Sequence, residues 1–478
     1  MGKKHKKKNQ KKRQAAPKAH WKSGRPNRSF GTNTSSNAGP NQANLPYLPL
    51  LRARSRDMAR NAPVADNAVD TYSSELIGVG ITPLPDADDT VKKELSALWD
   101  EWREHADFDG VLDFYGLQDL AVRAWKESGE CFARLLVLPY DGNGIVPLRI
   151  QLIEADMIPL ANGKAPNGNE IFSGIEFKGG QRVAYWMLKK HPGDYPFAAG
   201  GAFGVVSYKE DKMVRVPADE MLHLYKPRRP GQLRGVPRLS GTLQTISQLD
   251  DFDEATLERQ KIAAALTAFI RRPEPVEPGK DPITGEKIDP DVVQESTLHA
   301  GSGYTLLPGE EITFPDLPEL GEEYEKFVKH YNQKIASGNA LPYELLTGDY
   351  SAVNDRTVRV ALGVFRRKLQ QDQRHNVIHQ LCRPVWRKFT QIAVLNALVI
   401  RDYIDVKVKW NPQAWPYINP LQDVETKDRE IKAGLTSRTA KIMERGDDPD
   451  QVDKERAADK ERESRLQISQ QAEKKEGD

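Results

Sequence analysis

The feature that most constrains the fold is a long run of apolar residues at helical spacing in the C-terminal half of the sequence. Between Val358 and Ile400, apolar side chains recur mostly every three or four positions, which is the period of an α-helix with one buried face. One helix over these 43 positions would extend about 64 Å. Pro384 lies inside it, and because proline lacks a backbone donor and clashes with the preceding turn, a kink is predicted there.

The sequence before this helix changes character twice. Residues 45–138 are mostly helical in pattern, whereas residues 130–227 contain short alternating runs punctuated by Gly, Asn and Pro, which predict strands and hairpins. Residues 236–270 then predict one long helix with an acidic centre, DDFDE. A helix that is polar nearly all round spans solvent or packs against copies of itself. The predicted fold class is α+β, mainly α.

The remaining segments are shorter. Eight prolines in residues 271–318 predict a protruding loop or a small β-module. Residues 321–338 are again helical in pattern, and residues 341–354 predict a non-helical connection. Two short helices are expected at residues 420–433 and 437–445. The end of the chain, residues 446–478, is dense in charge and lacks aromatic side chains, which predicts frayed helix or disorder.

Charge is distributed unevenly along the chain. Residues 1–56 contain 15 Lys and Arg and no Asp or Glu, so the rest holds 70 − 15 = 55 basic and 68 acidic residues, a balance of −13. Residues 1–45 predict a disordered basic arm, because their composition cannot bury enough apolar surface. The arm is suited to non-specific attraction to nucleic acid. A solubilising or removable tail is an equally good interpretation.

The sequence lacks the features of disulfide-bonded, membrane-spanning and secreted proteins. Cys131 and Cys382 are the only cysteines, too few and too far apart for a disulfide framework or a zinc ribbon. No apolar run is long enough for a membrane span, and no hydrophobic signal segment follows the basic N-terminus. A cytosolic origin without membrane contact is therefore expected.

No motif for covalent chemistry is present in the sequence. It contains no Walker A motif, no His-Glu-x-x-His and no Gly-x-Ser-x-Gly, which argues against a packaging ATPase, a zinc hydrolase and an α/β-hydrolase. His375 and His379 are four residues apart but lack a third ligand nearby, so solvated or interface histidines are favoured. The acidic clusters at residues 86–89 and 447–450 do not match a calcium loop. No enzyme activity, metal or cofactor is expected.

One basic loop is a candidate contact site. Residues 225–235, YKPRRPGQLRG, could touch DNA phosphate or a neighbouring subunit. The candidate residues are Arg228, Arg229, Gln232 and Arg234. A purely structural turn before the following helix is an equally good interpretation, because Gly235 and Pro237 suit a helix entry.

Taken in order, several short segments resemble the lambda-type family of phage portal proteins. The clearest are residues 229–237 (RPGQLRGVP), 306–310 (LLPGE) and 341–351 (LPYELLTGDYS). Weaker matches precede them, at residues 78–83 (GVGITP), 128–130 (SGE), 151–156 (QLIEAD), 174–177 (GIEF) and 216–224 (VPADEMLHL). Each is weak alone, but their shared order and spacing make the resemblance specific. The chain departs from the family pattern after Tyr350, where AVNDR replaces an Asn-Tyr-Ser-Ser-like run.

This resemblance implies a head-tail connector: a ring of about twelve copies around a DNA-wide channel at the capsid vertex. Between the basic arm (1–45) and the charged tail (446–478), it implies the following parts: a wing (46–235), a stem helix (236–270), a clip (271–318), a second stem helix (319–340), a tunnel loop (341–356), a long kinked wing helix (357–403) and a crown (404–445). The tunnel loop would place Asp349, Tyr350, Ser351, Asn354 and Arg356 in the DNA channel. Terminase, capsid, scaffold and head-completion or tail proteins are the implied partners.

Two other functional classes stay open at this point. A monomeric DNA-binding adaptor would act through the basic arm, but such an arm does not explain a helix of 43 positions. A nucleic-acid enzyme, such as a nuclease or terminase subunit, would need paired carboxylates and a divalent metal, and no convincing set of them is present in the sequence.

Overall fold

The computed structural model describes residues 38–194, 212–265, 269–271, 284–285, 311–313, 322–351, 353–415 and 420–466. The chain divides into two compact units. One contains Met1–Gln244 and Ile335–Asp478, and the other contains Thr245–Lys334. Most of the predicted basic arm, most of the predicted clip and the last twelve residues of the predicted tail lie outside the described residues.

The first unit begins with a layer of helices: α1 (Pro40–Asn44), α2 (Leu48–Asn61), α3 (Pro63–Ile77), α4 (Asp89–Arg103) and α5 (Phe114–Ser128). The apolar stripe of α4 ends in an aromatic cluster, where the rings of Trp99 and Trp102 contact each other at a tilt of 48°, with their centroids 4.7 Å apart. Phe114 and Phe389 pack edge-on against Trp99, at 5.1 and 5.0 Å. Aromatic contacts therefore join the start of the chain to a helix almost 300 residues later.

Helix α5 ends earlier than its apolar pattern indicates. The expectation that the helical pattern continues to residue 138 is wrong beyond Ser128, because Gly129 adopts a left-handed conformation (φ 92°) that ends the helix. Strand β2 (Glu130–Val137) follows immediately. The β-rich pattern that begins at residue 130 is therefore the correct one for this stretch.

Two antiparallel sheets follow. In the smaller sheet, β2 lies between β3 (Leu148–Ile153) and β9 (Met221–Tyr225). The larger has five strands in sequence order: β4 (Gly163–Lys164), β5 (Glu170–Phe172), β6 (Ile175–Lys178), β7 (Gln181–Leu188) and β8 (Met213–Pro217). Phe132, Ile175, Tyr185 and Val216 belong to one buried cluster, so residues of both sheets share a core. The predicted strands and hairpins are confirmed.

The long C-terminal helical segment is real but shorter than predicted. It consists of α9 (Asp355–Asp372), a π-helical segment (Gln373–Cys382) and α10 (Arg383–Leu395). The predicted continuation to residues 400–403 is wrong: Ala397 turns left-handed (φ 54°), and the Leu398 N–H donates to the Ala393 carbonyl at 2.9 Å, which closes the helix end. Pro384 is the second residue of α10, directly after the π-helical segment, and a kink there stays a prediction.

The last part of the first unit adds one strand and three helices. Strand β12 (Val408–Pro412) pairs with β1 (Ile81–Pro85), which ties the predicted crown to the N-terminal helices. Helices α11 (Pro420–Lys432) and α12 (Arg438–Glu444) confirm the two short helices. The first part of the predicted tail forms α13 (Pro449–Leu466), a helix with polar residues on nearly every face.

The second unit contains most of two helices, α6 (Leu243–Ala265) and α7 (Glu322–Asn339), together with the antiparallel pair β10 (Phe269–Arg271) and β11 (Glu311–Thr313). The rings of Phe252 and Phe327 pack between the helices at a tilt of 43°, with their centroids 4.4 Å apart. The predicted helix 236–270 is thus wrong at both ends. Residues Arg238–Gly241 form a 3₁₀ turn, and β10 pairs with β11 where the helix was expected to end. No helix of the described residues is long and apolar enough to cross a membrane.

Candidate functional site

The basic loop of residues 225–235 begins at the last residue of β9 and leads to the 3₁₀ turn at Arg238. Gln232 is buried and organises this loop: its Oε1 accepts from the Arg228 N–H at 2.9 Å, and its Nε2 donates to the Arg234 carbonyl at 2.8 Å. The Tyr225 hydroxyl donates to the Gln232 carbonyl at 3.0 Å. These bonds satisfy the loop's backbone groups inside the protein and hold it in one conformation.

Beneath the loop lies a buried ion-pair cluster centred on Glu130, whose side chain is 0% exposed. Arg234 donates through Nε to Glu130 Oε1 at 2.7 Å, and Arg52 pairs with the same oxygen. The other oxygen accepts from the Gly235 N–H at 2.6 Å and contacts His223 Nε2 at 2.9 Å. A buried carboxylate keeps its charge only with such partners, so the cluster joins α2, β2, β9 and the loop.

Electrostatics inside the cluster fix its charge state. Burial alone would raise the pKa of Glu130, but the charges of Arg234 and Arg52 hold it well below its usual range. Burial lowers the pKa of His223 to about 4, although Glu130 favours the charged form. His223 is therefore neutral at pH 7, and Glu130 is ionised.

Helix α1 packs on the basic loop. Asn41 donates to the Gly231 carbonyl at 3.0 Å and accepts from the Leu233 N–H at 2.9 Å. Arg229 donates to the Ala38 carbonyl at 3.1 Å. The prediction that residues 1–45 are one disordered arm is therefore wrong for residues 38–45, because amide groups there complete the loop's hydrogen bonds.

The four candidate contact residues of the basic loop separate into two pairs. Arg228 and Arg229 are exposed. Gln232 and Arg234 are buried, with exposed fractions of 4% and 1%. Arg234 also donates to the carbonyls of Ser173, Ala155 and Ile158. The side chains of the buried pair bond within the protomer, which favours the structural interpretation for these two residues. Contact with DNA or a neighbouring subunit stays a prediction for the exposed pair.

The predicted tunnel loop is partly helical. Residues Tyr343–Thr347 form the short helix α8, which starts after Pro342 and ends at the left-handed Gly348 (φ 71°). The expectation of a non-helical connection is wrong here, because Leu346 is buried and anchors one turn. Asn67 of α3 also donates to the Leu346 carbonyl at 2.7 Å, which satisfies an end of the helix.

Beyond α8 the candidate DNA-contacting residues have distinct positions. Asp349 accepts from the N–H and hydroxyl of Ser351, at 3.0 and 2.6 Å. Tyr350 is 58% exposed. Asn354 caps α9 by accepting from the Thr357 N–H at 3.0 Å, within a reciprocal capping box. Arg356 is exposed in the first turn of α9, so it lies on a helix and not in the loop.

One group of possible metal ligands occurs among the described residues: Glu154, Asp156 and His191. Arg56 pairs with both carboxylates, at 2.8 Å from Glu154 and 2.5 Å from Asp156. His191 lies 3.0 Å from the second oxygen of Glu154. Because Arg56 bridges the two acids, the residues form an ion-pair network in this structure.

Sequence reasoning missed the central residues of the buried cluster, Arg52, Glu130 and His223. Single residues of these types are common on surfaces, and one sequence taken by itself does not distinguish a buried charge from an exposed one. The usable signal was the SGE segment at residues 128–130, where a glycine precedes an acidic residue at the start of an apolar strand.

Comparison with known proteins identifies the family. The sequence model described as "Phage portal protein, lambda family" matches residues 26–373, well over half of the 478 residues. The chain belongs to this family. The match includes the basic loop, the buried cluster and the predicted tunnel loop, so the geometry above belongs to the part of the chain shared with portal proteins.

Individual relatives agree with this family. The chain is 25% identical over 438 residues to a probable portal protein of Halomonas phage phiHAP-1, covering 87% of this chain and 81% of that protein. It is 19% identical over 459 residues to portal protein B of Escherichia phage lambda, covering 85% and 83%. Among solved structures, the neck of a native GTA particle computed with C12 symmetry aligns over 84% of this chain and 94% of that chain, at 14% identity and a TM-score of 0.48.

Proposed function

We propose that copies of this chain form a ring around a DNA-wide channel at one vertex of a phage capsid, through which DNA is packaged and ejected. The observation that carries this proposal is the family match over residues 26–373. A ring of about twelve copies is proposed, with closed rotational symmetry as the usual arrangement of identical subunits. The chain then belongs to the virion and is assembled in the bacterial cytoplasm.

The parts of the protomer receive the following proposed roles. The helices and sheets of residues 46–235 form the wing, and α6 and α7 form the stem. Strands β10 and β11 mark the base of the clip, where terminase and later the head-completion or tail proteins dock. The segment α9–α10 is the long wing helix, and the region after it faces the capsid interior as the crown, near capsid and scaffold proteins.

The acidic centre of α6 supports a channel role. Asp250, Asp251 and Glu254 are exposed, and none of them has an ion-pair partner among the described residues. Burial raises the pKa of Asp250, and the charges of Asp253 and Asp251 add to this. In a ring each such charge is repeated in every copy, so a modest acidic bias becomes a strongly negative wall. Such a wall repels DNA phosphates and allows the duplex to slide.

The tunnel loop supplies the proposed transient contacts with DNA. Tyr350 and Arg356 are exposed on either side of the Asn354 cap, and Asp349 holds Ser351 in a tight turn. A few polar or basic groups can grip a phosphate briefly, whereas many tight sites would stall the duplex. The function requires charge, shape and assembly, and no side chain is assigned a covalent role.

Removal of residues 1–37 tests this function against the adaptor alternative. That segment carries most of the basic arm but spares Asn41, which completes the basic loop. In cells producing the other capsid proteins, we expect the shortened chain still to give ring-bearing heads that package DNA. A matched variant keeps the full length but replaces the lysines of residues 3–12 with glutamine. If both variants lose packaging, and the unmodified chain is a monomer whose DNA binding both variants abolish, the adaptor function replaces the portal function.

A further inference from the structure

A second charged region lies in the first unit, distinct from the Glu130 cluster. It is a recess of about 280 Å³ bordered by α3, α5, the basic loop and the end of α9. Its lining carries five cationic side chains and one carboxylate, that of Asp372. The cations are Lys126, Lys226, Arg228, Arg238 and Lys368. With Lys126 counted as protonated, the formal difference is four positive charges in a small, partly enclosed volume.

The carboxylate of Asp372 is already saturated by its own neighbours. Its Oδ2 accepts from the Tyr72 hydroxyl at 2.8 Å and from Lys126 Nζ at 3.2 Å. Its Oδ1 accepts from Lys226 Nζ at 2.5 Å and from Asn376 Nδ2 at 2.9 Å. Asp372 therefore offers little further capacity to the other cations of the recess.

Three cations of the recess have no counter-charge. The side chains of Arg228, Arg238 and Lys368 make no hydrogen bond or ion pair with any described residue. Partial burial lowers the pKa of Arg228, whose side chain stays accessible to solvent, and the charge of Arg238 lowers it further. Like charges that share one recess repel one another, so these three cations lack a negative partner of their own.

A buried lysine, Lys126, forms the floor of the recess and could pair with a negative group. Lys126 is 5% exposed and lies 3.7 Å from the ring centroids of both Tyr72 and Trp125. Burial lowers its pKa to about 7, against the effect of Asp372, and the charges of Lys226 and Arg238 lower it further. A bound anion would offset these like charges and favour the protonated lysine.

We infer that this recess binds a phosphate group. A ligand with more than one negative charge balances a formal excess of four positive charges better than a ligand with a single carboxylate does. Guanidinium groups such as those of Arg228 and Arg238 match the oxygen spacing of phosphate. The phosphate is either free inorganic phosphate or part of a nucleic-acid backbone, since both present the same oxygens. The inference does not depend on the proposed channel function, because it rests on the protomer alone.

The test compares two full-length double variants that remove the same charge. Arg238→Gln with Lys368→Gln removes two unpaired cations from the recess. Arg54→Gln with Lys93→Gln removes two exposed cations elsewhere that make no hydrogen bond or ion pair with described residues. Inorganic phosphate should raise the Tm of the wild type and of the control in a concentration-dependent way. The recess variant should bind phosphate at least about tenfold more weakly.

A second arm separates the two sources of phosphate. Binding of a short DNA duplex is measured at one fixed salt concentration, because phosphate contacts are salt-dependent. If the recess variant loses affinity for duplex but phosphate alone shifts no Tm, the site takes a backbone phosphate, and the inference stands with that source. Should the double variant fail to fold, Lys368→Gln alone gives the same comparison, because that side chain is exposed.

Two results would overturn the inference. One is equal binding of phosphate and duplex by wild type, control and recess variant. The other is a recess variant whose anion binding is unchanged but whose mass in solution differs from that of the control. The recess would then receive an acidic side chain of a second copy of the chain, and not a phosphate.

Discussion

At the scale of single residues, buried carboxylates and their cationic partners organise the first unit. Glu130 holds Arg52 and Arg234 at one point inside the protein, and Asp372 pairs with the buried Lys126 and the half-exposed Lys226. Such groups are stable only as complete sets, because one missing partner leaves an uncompensated buried charge. They therefore fix how helices, strands and the basic loop fit together.

The substitution Glu130→Gln tests whether the buried charges are stable only as a complete set, because it removes the central carboxylate. It leaves Arg52 and Arg234 buried without their shared counter-charge, and we expect a loss of about 3 kcal/mol in the free energy of unfolding. Urea denaturation followed by circular dichroism measures this loss. Glu101→Gln is the matched control, because Glu101 is exposed on α4. Equal stability of the two variants would show that the buried cluster adds little.

Acid should weaken the fold through His223. Its pKa is about 4 in the folded protein and about 6.5 when unfolded, so the unfolded chain binds the proton more readily between these values. The contribution of His223 is therefore fully present above pH 6.5 and declines by about 3 kcal/mol as the pH falls to 4.

Urea denaturation at several pH values checks this expectation. His223→Asn should flatten the decline between pH 6.5 and 4, whereas His375→Asn, at an exposed position, should leave it as in the wild type. An unchanged slope in the His223 variant would mean that other groups cause the acid sensitivity.

At the scale of elements, two glycines allow the close crossing on which the site depends. Gly129 ends α5 with φ 92°, and a Cβ there would lie 2.4 Å from the Val236 carbonyl carbon. A Cβ on Gly235 would lie 1.9 Å from the Gly129 carbonyl oxygen. The chain after the basic loop therefore passes directly over the end of α5, which brings the Gly235 N–H to Glu130.

Gly129→Ala should destabilise the protein by at least about 2 kcal/mol, because it adds a clash with backbone to the strain of a left-handed alanine. Gly110→Ala is the matched control: its φ is also positive, at 69°, but nothing lies within 4 Å of the added Cβ. Thermal unfolding of both variants gives the comparison. A loss no greater at position 129 than at position 110 would contradict the tight crossing.

Elements with a strong period were predictable from the sequence, and those set by tertiary contacts were not. The stripe of α4 and the alternation of β3 and β7 give regular patterns, so their type was correct. Helix α8 was missed because it has only five residues and depends on packing at Leu346. The buried role of Arg234 was also hidden, since a basic loop has the same composition whether its arginines face solvent or a carboxylate.

At the scale of the whole molecule, family membership and charge lead to the same conclusion. Outside residues 1–56 the chain carries 55 basic and 68 acidic residues, and three unpaired acids occur within one stretch of α6. In the proposed ring these acids are repeated in every copy, which gives a negative wall that repels DNA phosphates. The polar faces of α6 and α7 are accounted for if their partners are other copies.

The most direct test of this account is the mass of the full-length protein in solution, measured by light scattering and followed by negative-stain imaging. The account predicts a closed ring of about a dozen copies, with a central hole wide enough for duplex DNA. The mass should be a multiple of the 53.8 kDa chain. A species that stays monomeric, with or without capsid or scaffold protein, would contradict it.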